Sequence, residues 1–195
     1  MNPNRGTLGV SPTSGTLGVN PNGPAAPADW QTYRDPLGLF SVRLPKQWRA
    51  QVSTGQASFG DRSGSASEPT ETIQFSDPAL GGARAQVDVN ASPIQSAFER
   101  HWYCQAFPQK NGTFHGIPAD HNQDATWLFD TANAHFQLDV WIPGVLEPWH
   151  SHGAELTPVP TATPLPQATV AADRAVLGII LGVFQPTNAT ALSCP

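Results

Sequence analysis

Residues 33–48 read Y-R-D-P-L-G-L-F-S-V-R-L-P-K-Q-W, an order that dictates a turn, a short strand and an abrupt exit. Asp35-Pro36-Leu37-Gly38 has turn chemistry: the proline presets its own φ, and the glycine takes positive φ without steric cost. Phe40, Val42 and Leu44 then alternate with Ser41 and Arg43, the period-two pattern of a strand with one face buried. Pro45 ends the pairing because it has no N–H to give to a neighbouring strand. Residues 48–52 read as the next strand. A domain that starts this way is built on antiparallel β structure.

The rest of the chain continues that grammar. The polar, Gly/Ser-rich stretch 61–67 reads as a loop, and 72–75 and 84–89 as further strands of a meander. Ser92-Pro93-Ile94-Gln95 then offers an N-cap, a proline at the first helical position and a glutamine at the capping-box position. The spacing predicts a helix to about Ala106 that buries Ile94, Ala97, Phe98 and Trp102 and turns Glu99 and Arg100 elsewhere. Residues 125–129 and 134–142 form the clearest hairpin. On its second strand Phe136, Leu138, Val140 and Ile142 alternate with Gln137, Asp139 and Trp141. Residues 143–167 end in T-P-V-P-T-A-T-P-L-P, which favours polyproline II. A last helix over 169–184 is apolar on most sides, which predicts deep burial, and Pro186 stops it.

Composition narrows the function classes. A chain of 195 residues accommodates one domain with a real core. Charged residues make up 13% and the net charge is −5, so there is no basic footprint for nucleic acid or anionic lipid. Eleven of the 20 prolines fall in residues 1–29 and 143–166. Residues 1–29 hold two copies of G-T-L-G-V among Pro, Asn, Ser and Gly, and read as a disordered tail or tether. No apolar run approaches the ~20 residues that cross a bilayer, and the spacing of Gly178 and Gly182 suits close helix–sheet packing. The N-terminus lacks the basic start and apolar core of a signal peptide, so the chain is intracellular or its export segment lies outside this sequence. Cys104 and Cys194 permit one disulfide between a helix and the C-terminal tail; the alternative is two unconnected thiols.

The order of elements, with the opening Y-x-D-P-x-G-x-F-S-V-x-L-P-x-x-W, resembles the PsbP-like family. That family groups the extrinsic protein of the photosynthetic oxygen-evolving complex with many bacterial lipoproteins and secreted proteins, and a nuclear-import factor that binds the small GTPase Ran shares the fold. The matching positions are Tyr33, Asp35, Gly38, Phe40, Val42, Leu44, Pro45 and Trp48. Gly116-Ile117-Pro118-Ala119 and Val183-Phe184 also look like the family. The resemblance implies an α+β chain, an α/β/α sandwich with a central antiparallel sheet flanked by helices, over residues 30–186. It places a Pro/Thr-rich insertion at 143–167 and a tail at 187–195. It further implies a non-enzymatic docking or stabilising role on a protein partner or assembly, outside the cytoplasm (secreted, periplasmic or surface-anchored), with no cofactor.

Few clusters carry chemistry of their own. Glu147, His150, His152 and Glu155 form the densest polar group, and imidazole with carboxylate is a set that a divalent ion would accept. A metal- or small-ligand-binding protein using this loop is therefore the alternative function, although solvated loop histidines account for the pattern as well. His115 and His121 flank a turn expected at Gly116–Ala119 and would join such a site only if the fold brought them near. His101 and Cys104, three apart on a helix, pair an imidazole with a thiol, but no orienting residue or oxyanion element accompanies them. No phosphate- or dinucleotide-binding glycine motif and no nucleophile elbow occurs. Trp141 and Trp149 are the candidate partner-binding aromatics. Sequons stand at Asn90, Asn111 and Asn188.

Overall fold

Phe40, Val42 and Leu44 are all buried, and Ser41 and Arg43 between them are half-buried, as the alternation requires. In the computed structural model, which describes residues 25–61, 64–80, 84–106, 110–122, 125–145 and 165–194, these residues form strand β2 (Phe40–Leu44). It pairs antiparallel with β1 (Gln31–Arg34) on one side and with β10 (Gln185–Pro186) on the other. The turn between β1 and β2 closes as its residues dictate: Gly38 has φ +72°, and its N–H donates to the Asp35 carbonyl at 2.9 Å.

The second sheet has seven antiparallel strands. They are β3 (Arg49–Asp61), β4 (Gly64–Ser76), β5 (Gln86–Pro93), β6 (Gly112–Phe114), β7 (Ile117–Asn122), β8 (Thr126–Asp130) and β9 (Ala134–Trp141). Their spatial order is β3-β4-β5-β9-β8-β7-β6. Register puts Ile73, Val89, Leu138 and Trp127 in one row across the sheet, and Ala91, Phe136, Phe129 and Ala119 in the next. Both rows are buried. The small sheet and helix α2 (Gln167–Gly182) cover this apolar face. Phe184 marks the joint, with its ring stacked 4.7 Å from Phe40 and edge-on to Phe136 at 5.9 Å. The opposite face is polar. There Thr126 and Gln137 donate to Asp139 at 2.6 and 2.7 Å, and Tyr103 of α1 (Ala97–Ala106) stacks on His135 at 4.5 Å. The described residues thus make an α+β fold of two antiparallel sheets and two helices.

Four expectations change. The stretch 61–67 belongs mostly to a long β3–β4 hairpin, whose strands pair from Arg49↔Ser76 out to Asp61↔Gly64. The first helix begins at Ala97, because Ser96 and Glu99 make the capping box. Ser96 Oγ accepts from the Glu99 N–H at 3.1 Å, and Glu99 Oε2 accepts from the Gln95 and Ser96 N–H groups at 2.5 and 2.8 Å. Pro93 instead closes β5 opposite Ala134, and the buried helix residues are Glu99 and Tyr103, with Ala97 exposed. Helix α2 buries a stripe of Asp173, Leu177, Ile180 and Leu181, one face and no more. Finally, residues 115–116 form a two-residue turn between Phe114 and Ile117, with φ +51° at His115 and +81° at Gly116, the geometry that matches strand twist in tight hairpins.

Candidate functional site

The exit from β2 builds the wall of a cleft. Pro45 ends the strand, and the Trp48 N–H folds back onto the Pro45 carbonyl at 2.9 Å. The carbonyls that this turn turns outward are taken by two side chains. Gln31 Nε2 donates to the Trp48 carbonyl at 2.6 Å and to that of Pro45 at 3.3 Å, and Arg49 Nη1 donates to the Lys46 and Trp48 carbonyls at 2.8 and 2.9 Å. The facing wall is the entry segment before β1. The Arg43 guanidinium holds it, donating to the Ala26 and Pro27 carbonyls at 3.2 and 2.6 Å. Trp30 and Trp48 are thereby set by backbone-directed hydrogen bonds before anything binds.

Helix α2 and the segment before β5 complete the site. Asp173 and Val176 of α2, with Arg84, Leu80 and Asp77, enclose a cleft of about 230 Å³ against the two tryptophans. At its floor Arg84 Nε donates to both Asp173 oxygens, at 2.8 Å to Oδ2 and 3.1 Å to Oδ1. Asp29 and Lys46 stand at the rim, and Leu80 is 43% exposed there. The volume lies below the roughly 300–1,000 Å³ of pockets that enclose drug-sized ligands. Its chemistry suits one apolar side chain flanked by polar contacts, the way an anchor residue of a protein segment is received.

A second polar cluster lies against the opposite face of the sheet. Burial pushes the Asp130 carboxyl up, but the His135 Nδ1 contact at 2.7 Å and the Lys110 ammonium at 3.1 Å outweigh it and hold Asp130 below its ordinary range. The Cys104–Cys194 disulfide closes over this corner, where Leu192 N–H donates to the Asp130 carbonyl at 3.0 Å.

The residues singled out from sequence fare unequally. Cys104 is joined to Cys194, so no thiolate is available to His101, whose Nε2 lies 2.9 Å from Gln105 Nε2. His115 Nε2 meets the Leu181 carbonyl at 2.8 Å, tying a β-turn to α2, and His121 stacks on Trp127 at 4.6 Å. Trp141 is half-buried on the polar face, opposite Gln86 and away from the Phe136–Leu138–Val140 side. Glu147, Trp149, His150, His152 and Glu155 lie outside the described residues. Among the described residues, no group of three or more His, Cys, Asp or Glu side chains is arranged to hold a metal ion, and no helix is long and apolar enough to cross a membrane. The cleft itself was not legible in the sequence: Pro45 and Trp48 read as a strand end and a packing residue, and Arg84 and Asp173 are 89 positions apart with no local pattern to join them. No family model, curated protein or solved structure matches the chain.

Proposed function

We propose that this chain is a non-enzymatic docking domain of the PsbP-like kind, an α/β/α sandwich that binds a protein partner or assembly. The observation that carries this reading is the preset cleft. Gln31, Arg43 and Arg49 fix its two tryptophan-bearing walls through backbone carbonyls, so little ordering cost remains when a partner side chain enters. Its size favours an anchor residue over a cofactor. The joined cysteines favour an oxidising, extracytoplasmic setting.

The test uses the exposed rim. Leu80→Arg should abolish stoichiometric co-purification with the partner from the native source, while Val145→Arg, at another exposed apolar position, should leave it intact. Co-purification that survives Leu80→Arg, or no partner at all, would sink the reading. The alternative role for Glu147, His150, His152 and Glu155 makes a separate demand: metal bound to the purified protein and lost in His150→Ala/His152→Ala.

A further inference from the structure

Glu71 is an acid on the apolar face of the seven-stranded sheet. On β4 it shares that face with Ile73 and Phe75, and its cross-strand neighbours are Thr54 on β3 and Ala91 on β5. The Tyr33 ring of β1 packs edge-on against Phe75 at 4.9 Å, which brings the end of β1 and the turn after it over this part of β4. Asp35 stands in that turn, and its carboxyl acts on that of Glu71. Both acids are 5% exposed. Asp35 Oδ2 accepts the Leu39 N–H at 2.8 Å, which holds the β1–β2 turn together. Asp35 Oδ1, Glu71 Oε2 and the Tyr33 hydroxyl are buried with no hydrogen-bond partner. Two ionised carboxylates are acceptors only and cannot satisfy each other. One proton makes one carboxyl a donor and leaves the other an acceptor, so the pair can then bond.

We propose that Asp35 and Glu71 share a single proton and form a pH-responsive latch that fastens the β1–β2 turn to the seven-stranded sheet, closed in mildly acidic surroundings and strained once the proton leaves. The latch does not depend on what the cleft binds. Burial, then Asp35, raises Glu71 from the ordinary 4.5 to about 7. Burial, then Asp35 and Glu71, raises Tyr33 to about 12, so its hydroxyl stays protonated throughout. Among the described residues, the other facing elements supply no charge that acts on Glu71. Thr54 and Ala91 do not titrate, and Arg34 occupies the alternate face of β1. Helix α1, which approaches β4, carries Glu99, Arg100 and His101. Glu99 is committed to its capping bonds and His101 sits against Gln105, and the causes acting on Glu71 are burial and Asp35. Because the folded-state value lies above the ordinary one, the stabilisation is full below about 4.5, declines as pH rises, and is gone above about 7.

The experiment is a carboxyl ¹³C NMR titration of the full chain, with thermal unfolding across pH 4 to 9 and Leu39 amide exchange. The Glu71 resonance should titrate with a midpoint near 7, and Tm and Leu39 protection should fall together over the same window. Glu71→Gln keeps a donor for Asp35 without a titrating proton, so it should fold, lose that pH dependence and exceed the native chain in Tm above pH 7. A Glu71 midpoint near 4.5, or the same pH dependence in Glu71→Gln, would overturn the latch. So would stabilisation by calcium chloride at pH 8 that Glu71→Gln abolishes, since the pair would then hold a cation.

Discussion

Arg84 and Asp173, 89 positions apart in sequence, meet at the floor of the cleft with Arg84 Nε 2.8 Å from Asp173 Oδ2. Their exposures differ: the Arg84 side chain is 32% exposed and that of Asp173 7%. A charge left alone in water costs little, whereas one left alone in the interior costs several kcal/mol. Arg84→Ala should therefore destabilise the chain by about 2–3 kcal/mol, and Asp173→Ala by about 1–2 kcal/mol, the two values lying between those of surface and buried pairs. Urea denaturation of both variants checks the order. Equal losses would show that Asp173 is better hydrated than its burial indicates.

The disulfide should dominate the stability of the C-terminal segment. That segment runs from β10 along the sheet, with the Ala132 N–H donating to the Thr190 carbonyl at 2.8 Å and Thr131 bridging Ala191, before Cys194 reaches Cys104. The bond closes 90 positions of chain. Constraining a loop of that order in the unfolded state is worth about 4–5 kcal/mol. Cys104→Ser/Cys194→Ser should lose that amount in chemical denaturation, and the unreduced, unfolded native chain should show no free thiol. Reactive thiol in that sample would leave the two cysteines unconnected.

What could be read from sequence follows where side chains meet a core. Phe40, Val42 and Leu44, and the hairpin from Trp127 to Ile142, showed their strands because each buries alternate residues. The β3–β4 hairpin did not, and the reason is physical. Beyond Glu71, β4 no longer pairs with β5, and residues 51–56 of β3 are exposed in succession, so no buried face imposes a period. Deep burial of α2 does not follow from its apolar sequence, because only one stripe of the helix meets the sheet. The cleft needed Arg84 and Asp173 brought together by tertiary packing, and the Asp35–Glu71 pair needed β1 laid across β4. Neither juxtaposition leaves a local trace.

The start of α1 supplies a sharper discrimination between two sequence readings. Ser92-Pro93 looks like a cap and is the end of a strand, while Ser96 and Glu99 exchange the capping bonds. Ser96→Ala should cost about 1 kcal/mol, the usual worth of an N-cap hydroxyl. In that variant the Cα chemical shifts of Ala97–Glu99 should move towards coil and those of 100–106 should hold. If the helical shifts instead began at Ile94, the boundary would lie where the proline suggested.

Asp130 should govern the acid limb of stability. Although burial opposes its charge, the bond to His135 and the charges of His135 and Lys110 keep the carboxyl below its ordinary value of 3.8. A depressed folded-state value means that the unfolded chain takes up the proton first, so the stabilisation is present above 3.8 and is lost as pH falls through the lower folded value. Asp130→Asn should accordingly be less stable than the native chain at pH 5 and should converge on it as pH falls through the lower folded value. The sign is opposite to that expected of Glu71, whose stabilisation weakens as pH rises. Together the two carboxyls place the stability maximum in the mildly acidic range, with Asp130→Asn flattening one side of it and Glu71→Gln the other. Thermal unfolding of both variants from pH 2 to 9 measures this directly. A native maximum at or above pH 8 would contradict the Glu71 assignment, and Asp130→Asn as stable as the native chain at pH 5 would contradict that of Asp130.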